Sequence, residues 1–392
     1  MTEKLAPGAP PSADFIPLIV PEIRGNEWKY VKDCLDTNWV SSVGSYVDRF
    51  ERTTAERAGT KFAVATVNGT AALHIALLLA GVQPEDEVLV STLTFIAPAN
   101  AIRYVGAWPV FIDAEPKYLQ MDPARAAEFL EQDCRWDGTE LRNRHTGRRI
   151  KAILPVHILG HPVDLDPIME LASRYSLQVI EDATEGLGAR YKGRNLGSVG
   201  HVGCFSFNGN KIITTGGGGM IITNDEQLAK KAKHLTTQAK ADPNEYYHDE
   251  VGYNYRLVNV LAAMGVAQME QLPGFIKRKK EIASFYNKEL GKIPGFSPQK
   301  ISPEVDSNNW LYTAKVKQQP ALRKFLRDNQ VDARPFWVPM NQLPANKDSI
   351  YFNKTNTSQE VYQECLSLPC STHITDDDLS KVASLVRKFY HD

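Results

Sequence analysis

Residues 203–220 read GCFSFNGNKIITTGGGGM, the most informative stretch of the chain. Alternation predicts a strand that places Phe205 and Phe207 on one face and Ser206 on the other. Lys211 follows in a short polar loop, and four consecutive glycines precede a second β-like run. The glycines allow close backbone approach, although a flexible hairpin turn uses them equally well. Lys211 is either a solvated loop lysine or a nucleophile, and the second role requires burial or cationic neighbours that partly neutralise it.

The sequence on both sides alternates short β-rich runs with helical patterns. The β-rich runs begin at Lys61, Glu87, Trp108, Ile150, Leu177 and Met220. This alternation predicts an α/β domain with a mostly parallel, buried sheet. Ligands of such sheets bind beyond the carboxyl ends of the strands. Asp182, Asn68 and the segment 92–95 fall at such ends, so we expect polar groups to converge on one edge of the sheet.

The C-terminal part of the sequence predicts a second, smaller domain. A polar, aromatic-rich loop at 239–256 leads into a long helical region at 257–290. Short strands and helices mix beyond it, and Pro294-Gly295 marks a boundary. We expect an N-terminal tail and arm at 1–24, a large domain at 25–290 and a small α/β domain at 291–392.

Composition restricts the classes of function. The 392 residues carry a formal net charge of −1, which offers no long-range attraction to nucleic acid or to a membrane surface. The basic run RNRHTGRR at 142–149 is interpreted as a solvated turn. Five cysteines form no CxxC pair, so we expect no disulfide framework, no metal site and a cytoplasmic location. MTEKLAPGAPPSADF at the N-terminus lacks a signal-peptide pattern and is interpreted as a flexible tail, and no apolar stretch is long enough for a bilayer.

Two loops at the predicted sheet edge suit chemistry, and each also has an ordinary explanation. Asn68-Gly69-Thr70 opens a helix, where free N–H groups and the helix dipole favour an anion, but the same residues also cap helices. Asp182 and Glu185 at a strand end suit a metal, a helix cap or the positively charged ring nitrogen of a cofactor.

Together these groups match the requirements of pyridoxal phosphate. This cofactor needs a lysine for its aldehyde, an acid for its ring nitrogen, a phosphate cradle and an aromatic face. The residues that meet these needs, in that order, are Lys211, Asp182, Gly69 and Thr70 with Ser206, and Phe95.

The sequence resembles the DegT/DnrJ/EryC1/StrS sugar aminotransferases, which are pyridoxal phosphate enzymes of the aspartate-aminotransferase fold. The matching stretches lie between about Gly25 and Leu272 and read NGTAALHIAL, TFIAPANAI, PVHILGHPVDLDPI, IEDATEGLGARYKGRNLGS, CFSFNGNKIITTGGGGMI and GYNYRLVNVLAAMGVAQMEQL. The resemblance implies a three-layer αβα large domain with a mostly parallel sheet, followed by a smaller C-terminal α/β domain.

The resemblance also implies a role for each site residue. Lys211 is implied to be the covalent anchor of the cofactor and its proton shuttle, and Asp182 the partner of the ring nitrogen. Glu185 is implied to lie near the phenolic oxygen, and Phe95 to stack on the ring. The implied phosphate ligands are Gly69, Thr70, Ser206 and, from the second subunit of a homodimer, Asn254.

A finer resemblance concerns the substrate. GNEWKYVKDCLDTNWVSSVGSYVDRFE and LRNRHTGRRIKAILPVHI are similar to the subgroup that aminates nucleotide-linked 4-keto-6-deoxy-N-acetylhexosamines for bacterial surface glycans. This similarity implies UDP-2-acetamido-2,6-dideoxy-4-ketohexose as acceptor, glutamate as donor with 2-oxoglutarate as its product, and pyridoxamine phosphate between the half-reactions. A GDP-linked sugar is the alternative. Candidate substrate contacts, which packing or surface ion pairs explain equally well, are Trp39, Ser41, His157, Arg256, Asn309 and Arg334.

Three other functions compete with this interpretation. Some relatives are dehydratases with histidine in place of the lysine, but Lys211 is present here. An NAD-dependent oxidoreductase is disfavoured because no G-x-G-x-x-G turn opens an early βαβ unit. A non-catalytic sugar-binding or regulatory protein would keep the fold without the activity.

Overall fold

The computed structural model describes residues 14–242 and 244–391, so residues 1–13 of the predicted tail lie outside the described part. Its helices are α1 Glu27–Asp36, α2 Ser45–Ala58, α3 Gly69–Leu79, α4 Ala97–Tyr104, α5 Pro123–Gln132, α6 Leu165–Tyr175, α7 Glu226–Thr236, α8 Asn259–Leu290, α9 Gln319–Asp328, α10 Thr357–Glu364 and α11 Asp376–His391. Its strands are β1 Phe62–Thr66, β2 Glu87–Ser91, β3 Trp108–Ile112, β4 Cys134–Trp136, β5 Leu141–Asn143, β6 Arg149–Leu154, β7 Gln178–Asp182, β8 Arg190–Tyr191, β9 Arg194–Asn195, β10 Val202–Ser206, β11 Gly219–Thr223, β12 Lys240–Asp242, β13 Tyr247–His248, β14 Phe296–Pro298, β15 Val305–Asp306, β16 Tyr312–Val316, β17 Arg334–Pro335, β18 Ile350–Phe352 and β19 Cys365–Leu368.

The main sheet has the strand order β1-β11-β10-β7-β6-β2-β3-β18, and the β4-β5 hairpin continues it from β6. The strands from β10 to β18 along this order pair in parallel, whereas β11 pairs antiparallel with both β1 and β10. Every residue of β2 and β11 is buried, as expected for strands covered on both faces. These pairings confirm the predicted α/β fold with a mostly parallel sheet.

Helices cover both faces of this sheet. Along β2, Val88 and Val90 belong to the larger hydrophobic core, which also contains residues of α3, α4 and α8. Leu89 points to the opposite face and joins a second core with Phe129 of α5 and Ile168 of α6. Successive residues of a strand alternate between faces, so one apolar run supplies both cores. The result is the expected three-layer arrangement.

Helices α5 and α7 begin at residues whose side chains cap them. Asp122 Oδ1 accepts the N–H of Ala124 at 2.8 Å where α5 begins, and Pro123 stands at the first helical position. Asp225 caps α7 in the same way, accepting the N–H of Gln227 at 2.7 Å. Such caps satisfy N–H groups that have no partner inside the helix, so they fix where each helix starts.

The smaller sheet, β14-β16-β19-β17, is antiparallel and is built from the C-terminal part of the chain. The C-terminal part is not confined to it, because β18 pairs in parallel with β3 of the main sheet. At the other end of the chain, Ile16 pairs with Val331, and the N–H of Cys370 donates to the Leu18 carbonyl at 2.8 Å. The predicted arm therefore packs on the smaller sheet, and the domain division at residue 290 stays a prediction.

Two connecting segments differ in detail from a plain loop. The predicted loop at 239–256 contains the short hairpin β12-β13. The basic run at 142–149 includes the turn between β5 and β6, where Arg149 forms a bidentate pair with Asp86 at 2.9 and 2.7 Å. Arg142 and Arg148 are likewise held by carboxylates of the same chain, Glu140 and Glu85, in agreement with a solvated turn.

Among the described helices, none combines the length and the apolar character needed to cross a membrane.

Candidate active site

Lys211 lies in the turn that follows β10. Its N–H donates to the Asn208 carbonyl at 3.0 Å and closes the turn. Phe207 is fully enclosed, and its N–H and carbonyl bind Gly218 and Thr215 at 2.8 and 2.9 Å. The Lys211 side chain is only 13% exposed. The geometry thus favours the second interpretation of this lysine, since it is not a solvated loop residue.

Glu185 and an aromatic ring enclose the Lys211 ammonium group. Glu185 Oε1 lies 3.3 Å from Lys211 Nζ, and Glu185 Oε2 accepts the N–H of Leu159 at 2.7 Å. Burial raises the pKa of the Glu185 carboxyl, and the charge of Lys211 opposes this rise. The Trp310 ring centroid lies 4.3 Å from Nζ, within the range of a cation–π contact. Nζ is therefore held in an enclosed and polar position.

Asp182 ends β7 at the same edge of the sheet and is 2% exposed. Its Oδ1 accepts the N–H of Thr184 at 3.1 Å. Burial raises the pKa of the Asp182 carboxyl, although the bonds from Thr184 and the charge of Lys211 favour the ionised form. A cationic group beside this carboxylate would compensate for its burial. The site therefore fits a protonated ring nitrogen.

The first turn of α3 faces the end of β10. Asn68 Oδ1 accepts one N–H of this turn at 2.8 Å, while the N–H groups of Gly69 and Thr70 have no acceptor within the helix. A Cβ atom at Gly69 would lie 2.8 Å from the Ser206 Cβ and 3.3 Å from the Thr184 Cγ2. Glycine is needed at this close approach. The helix N-terminus and the two hydroxyl side chains form a cradle of the kind that binds phosphate.

Phe95 follows β2 and stays 55% exposed, although its neighbour Thr94 is buried. It lies in the turn between β2 and α4, at the carboxyl end of a strand two places from β7 in the sheet. An apolar ring left open at this edge fits the predicted stacking role, which remains a prediction.

His157 is fully enclosed and does not face the open edge. Its Nε2 lies 3.0 Å from Glu181 Oε2, and its Nδ1 accepts the N–H of Val163 at 3.1 Å. Because both ring nitrogens are bonded within the chain, the structure gives His157 a structural role in place of the predicted substrate contact.

Arg256 is also engaged inside the chain. Its side chain is 8% exposed, and its guanidinium lies 2.9 Å from Glu51 Oε1, an oxygen that also accepts the N–H of Ala65 at 2.9 Å. Removing one partner of a buried pair leaves a charge uncompensated. Contact with a substrate would require this pair to open, so the predicted role does not fit the position that Arg256 takes here.

Three other predicted substrate residues lie at the surface. Trp39 is 57% exposed, and the carbonyls of Trp39 and Ser41 accept hydrogen bonds from Asn259 at 2.8 and 2.6 Å. The Arg334 side chain is 67% exposed and pairs with the nearby Asp332 at 3.2 Å. No contact between these side chains and Lys211 is found in residues 14–242 and 244–391, so their roles stay predictions.

Asn309 and Asn254 occupy different surroundings. Asn309 precedes Trp310, whose ring packs on Lys211, and the N–H of Asn309 donates to Ser307 Oγ at 2.9 Å. Asn254 is exposed, and its backbone pairs with Thr237. An exposed side chain is free for contact with a second subunit, and this role too stays a prediction.

Within the segment 307–310, which holds the site from outside the sheet, sequence reasoning named Asn309 but missed Asn308 and Trp310. Asn308 Nδ2 donates to the carbonyls of Glu185 and Leu187 at 2.8 and 2.9 Å. The Trp310 indole N–H donates to the Asn210 carbonyl at 2.8 Å. The run SNNW before a strand is a weak signal for such a role, because nothing local connects it to Lys211.

Lys279 of α8 holds this segment in turn. It is 2% exposed, and its Nζ donates to the carbonyls of Trp310 and Cys370 at 2.8 and 2.6 Å. Burial lowers the pKa of the Lys279 ammonium. Since the carbonyls of two distant segments meet on one ammonium, Lys279 links α8 to the segment that packs on Lys211.

Comparison with known proteins identifies the family of the chain. The sequence profile of the DegT/DnrJ/EryC1/StrS aminotransferase family matches residues 21–387. The chain belongs to this family. Members of the DegT/DnrJ/EryC1/StrS family depend on pyridoxal phosphate, so the predicted family, the enzyme class and the cofactor are confirmed.

Relatives within the family match almost end to end. A GDP-perosamine synthase of Escherichia coli O157:H7 is 37% identical over 381 residues, covering 96% of this chain and 99% of the relative. A second GDP-perosamine synthase, from Caulobacter vibrioides, is 37% identical over 381 residues, covering 94% and 96%. The crystal structure of DesV from S. venezuelae is 28% identical with a TM-score of 0.85, covering 94% of this chain and 95% of DesV.

The residues of this chain fit the family's cofactor. Lys211 is the enclosed amine, Asp182 the buried carboxylate, and the Gly69 turn with Ser206 the phosphate cradle. Glu185 lies between Asp182 and Lys211 in the sequence, and it accepts a hydrogen bond from Lys211 Nζ. Pyridoxal phosphate therefore has a candidate partner for each of its polar groups.

Proposed function

We propose that the chain transfers an amino group from glutamate to C4 of a nucleotide-linked 4-keto-6-deoxyhexose. The observation that carries the proposal is the convergence of Lys211, Glu185 and Asp182 beside the Gly69 cradle at one sheet edge. The similarity to two GDP-perosamine synthases supports a nucleotide sugar as substrate.

The choice of nucleotide follows from these relatives. The sequence resemblance implied a UDP-linked acetamido sugar, whereas both synthases are named for a GDP-linked sugar. Full-length identity of 37% supports the GDP-linked sugar more strongly than the similarity of two short stretches supports the UDP-linked one. We therefore propose the GDP-linked 4-keto-6-deoxy sugar as acceptor, and the UDP-linked acetamido sugar is the alternative that the experiment below separates.

In this proposal Lys211 Nζ moves the protons. When bound, pyridoxal phosphate supplies a ring that accepts the electron pair left when a C–H bond of the substrate breaks. Lys211 takes the proton from the α-carbon of glutamate and delivers a proton to C4 of the sugar in the second half-reaction. General acid–base catalysis of this kind contributes about 10²–10⁴-fold.

The neighbours of Lys211 keep it in position. Glu185 Oε1 and the Trp310 ring hold Nζ on two sides, at 3.3 and 4.3 Å. Asp182 would hold a proton at the ring nitrogen, because its buried carboxylate favours an adjacent positive charge. The Gly69 turn and Ser206 would fix the phosphate.

We also propose a homodimer in which Asn254 completes the partner's site. Large apolar side chains are exposed close in sequence to Ser41 and Asn254, namely Val43 at 68% and Val251 at 80%. Exposed apolar surface of this kind is typical of protein interfaces. In verified mixed dimers, Lys211→Ala and Asn254→Asp chains should partly complement each other, and absence of any recovered activity would count against the shared site.

The function is tested by absorbance of the purified protein with pyridoxal phosphate. We expect visible absorption that bleaches with glutamate and returns with a GDP-linked 4-keto-6-deoxy sugar, but not with the UDP-linked acetamido sugar. Return with the UDP-linked sugar alone would select the alternative acceptor. A protein that stays colourless would support a non-catalytic sugar-binding role, and the same absorption in Lys211→Ala would refute the role of Lys211.

A further inference from the structure

Asn308 connects Glu185 and Trp310, the residues that lie against the Lys211 ammonium. It is fully buried, and its Nδ2 donates to the carbonyls of Glu185 and Leu187 at 2.8 and 2.9 Å. Its Oδ1 accepts the N–H of Trp310 at 2.9 Å. A carboxamide offers two N–H donors and a carbonyl acceptor, so each of these groups is engaged. This side chain thereby fixes the backbone of Glu185 relative to that of Trp310.

Trp310 is held from three sides. Asn308 accepts its backbone N–H, and Lys279 Nζ donates to its carbonyl at 2.8 Å. Its indole N–H donates to the carbonyl of Asn210, the residue before Lys211, at 2.8 Å. Because both the backbone and the ring are bonded, these contacts set the distance of 4.3 Å between the Trp310 ring centroid and Lys211 Nζ.

Glu185 is held at its carboxylate as well as at its backbone. Its Oε2 accepts the N–H of Leu159 at 2.7 Å, and its Oε1 lies 3.3 Å from Lys211 Nζ. Leu159 has φ 61° and ψ 12°, a left-handed conformation that is unfavourable for a residue with a Cβ atom. Strained residues of this kind cluster at functional sites, where the surrounding structure maintains them. The strain indicates that the position of the Glu185 carboxylate is functional.

The next residue of that turn makes room for Asn308. A Cβ atom at Gly160 would lie 1.7 Å from Asn308 Oδ1, so glycine is required there. The Gly160 carbonyl also accepts the hydroxyl of Ser307 at 2.8 Å. The turn that binds the Glu185 carboxylate therefore also packs on Asn308, and the groups on both sides of the Lys211 ammonium share one support.

A buried asparagine can also have a purely structural role, and Asn143 is an example. It is 1% exposed, its Nδ2 donates to Glu87 Oε2 at 2.8 Å, and its Oδ1 accepts the N–H of His145 at 2.9 Å. Glu87 is the first residue of β2, whereas the candidate site lies at the carboxyl ends of the strands. Asn143 thus resembles Asn308 in burial and bonding but lies at the opposite edge of the sheet.

We propose that Asn308 is a positioning residue for Lys211. Through Glu185 and Trp310 it keeps Nζ in the orientation from which protons are taken and delivered. Displacing a catalytic group lowers the rate of the chemical step without weakening the binding of the substrate. The inference rests on the proposed function, because that function assigns the proton transfers to Nζ.

The test compares Asn308→Ala with the matched control Asn143→Ala, each loaded with pyridoxal phosphate. Stopped-flow absorbance follows the half-reaction with glutamate. We expect the limiting rate to fall about tenfold in Asn308→Ala, with the glutamate concentration for half-maximal rate unchanged. Visible circular dichroism per unit absorbance of the bound cofactor should also decrease, because it reports the orientation of the cofactor on Lys211. Asn143→Ala should match wild type in both measurements.

Both substitutions remove buried hydrogen bonds, so urea denaturation measures the stability that each variant loses, and rates are compared per folded molecule. If Asn308→Ala does not fold, Asn308→Asp replaces it, because the carboxylate keeps the acceptor for Trp310 and loses the two N–H donors. Wild-type rate and dichroism in the folded Asn308 variant, or equal losses in Asn143→Ala, would overturn the proposal. A wild-type protein whose absorption does not bleach with glutamate would instead refute the proposed function, and the dichroism would still show whether Asn308 positions Lys211.

Discussion

Glu181 and Asp182 are neighbours on β7, both buried, yet their surroundings differ completely. Glu181 is bonded by His157 at 3.0 Å and by the N–H groups of Gly197, Val199 and Gly200 at 2.8, 2.7 and 2.6 Å. For Asp182 the structure records an N–H from Thr184 at 3.1 Å. Successive strand residues point to opposite faces, so one carboxylate enters a closed network and the other faces the site.

The pKa values follow the number of bonds. Burial alone would raise the pKa of Glu181, but the bonds from His157 and the N–H groups outweigh it and the pKa is lowered. Burial raises the pKa of Asp182, because fewer groups stabilise its charge. The comparison teaches that a buried carboxylate with a full set of donors holds the fold together. One with few donors is available for a ligand.

The largest effect on activity is expected at Lys211, because the proposed proton transfers depend on its Nζ atom alone. Lys211→Ala removes the amine that Asp182 and Glu185 surround, so activity should fall by at least about 10²–10⁴-fold. Single-turnover absorbance with glutamate measures the loss. Lys230→Ala, at a lysine whose side chain is 66% exposed, should react as wild type. A comparable loss in both variants would contradict the role of Lys211.

Glu181→Gln tests the closed network. The amide NH₂ cannot accept the bonds that one carboxylate oxygen received, and His157 loses its anionic partner. We expect the free energy of unfolding to fall by about 3–5 kcal/mol. Urea denaturation measures this loss, and turnover per folded molecule should stay near wild type. An unchanged unfolding midpoint would show that the network contributes little.

Asp182→Asn, at the next residue, should have the reverse effect, with a loss of activity and no loss of stability. We expect kcat/KM to fall about 10²–10³-fold, because the group that would hold the ring-nitrogen proton loses its charge. The free energy of unfolding should not fall, since this carboxylate is costly to bury. Steady-state kinetics and urea denaturation are measured on the same preparation. If Asp182→Asn lost stability while keeping its kinetics, the contrast with Glu181 would be reversed.

His157 and His161 extend the comparison to two histidines. Both ring nitrogens of His157 are bonded, whereas His161 Nδ1 has no partner in the described residues and the pKa of His161 is lowered to about 4. As the pH falls, the unfolded state therefore binds a proton at His161 that the folded state does not bind. The contribution of His161 to the free energy of unfolding is fully present above about pH 6.5. It falls by about 3 kcal/mol as the pH falls toward 4.

His161→Gln removes this titration. The free energy of unfolding of wild type, measured by urea denaturation between pH 7 and pH 4, should therefore fall by about 3 kcal/mol more than that of the variant. Parallel curves for the two proteins would exclude a depressed pKa at His161.

The smallest effect on activity is expected for the segment 307–310, which lies outside the sheet and packs on Lys211. Trp310→Phe keeps a ring beside Lys211 but loses the N–H bond to the Asn210 carbonyl, which is worth about 1 kcal/mol. We expect kcat/KM to fall about fivefold. Trp136→Phe, at an indole that packs on Tyr175, serves as control. A loss of the same size in both would indicate a general effect of removing tryptophan.

The sequence by itself determined the sheet, the lysine and the buried acid. Alternating apolar runs between helical patterns are local features, and they placed β2, β7 and β10 correctly. Because parallel strands end at one edge, the chain order alone brought Asp182, Lys211 and the Gly69 turn to the same side. The motifs around these residues then sufficed to recognise the family and its cofactor.

Only the tertiary structure decided which polar side chains already have hydrogen-bond or ion-pair partners within the chain. Arg256 meets Glu51 across 205 residues and Trp310 meets Asn210 across 100, and no local pattern records such partners. The pairing of β18 with β3 was likewise invisible, since three residues at a sheet edge carry almost no periodic signal. Hydrogen bonds and ion pairs depend on separations of a few ångströms between distant segments, and those separations are fixed only when the whole chain has packed.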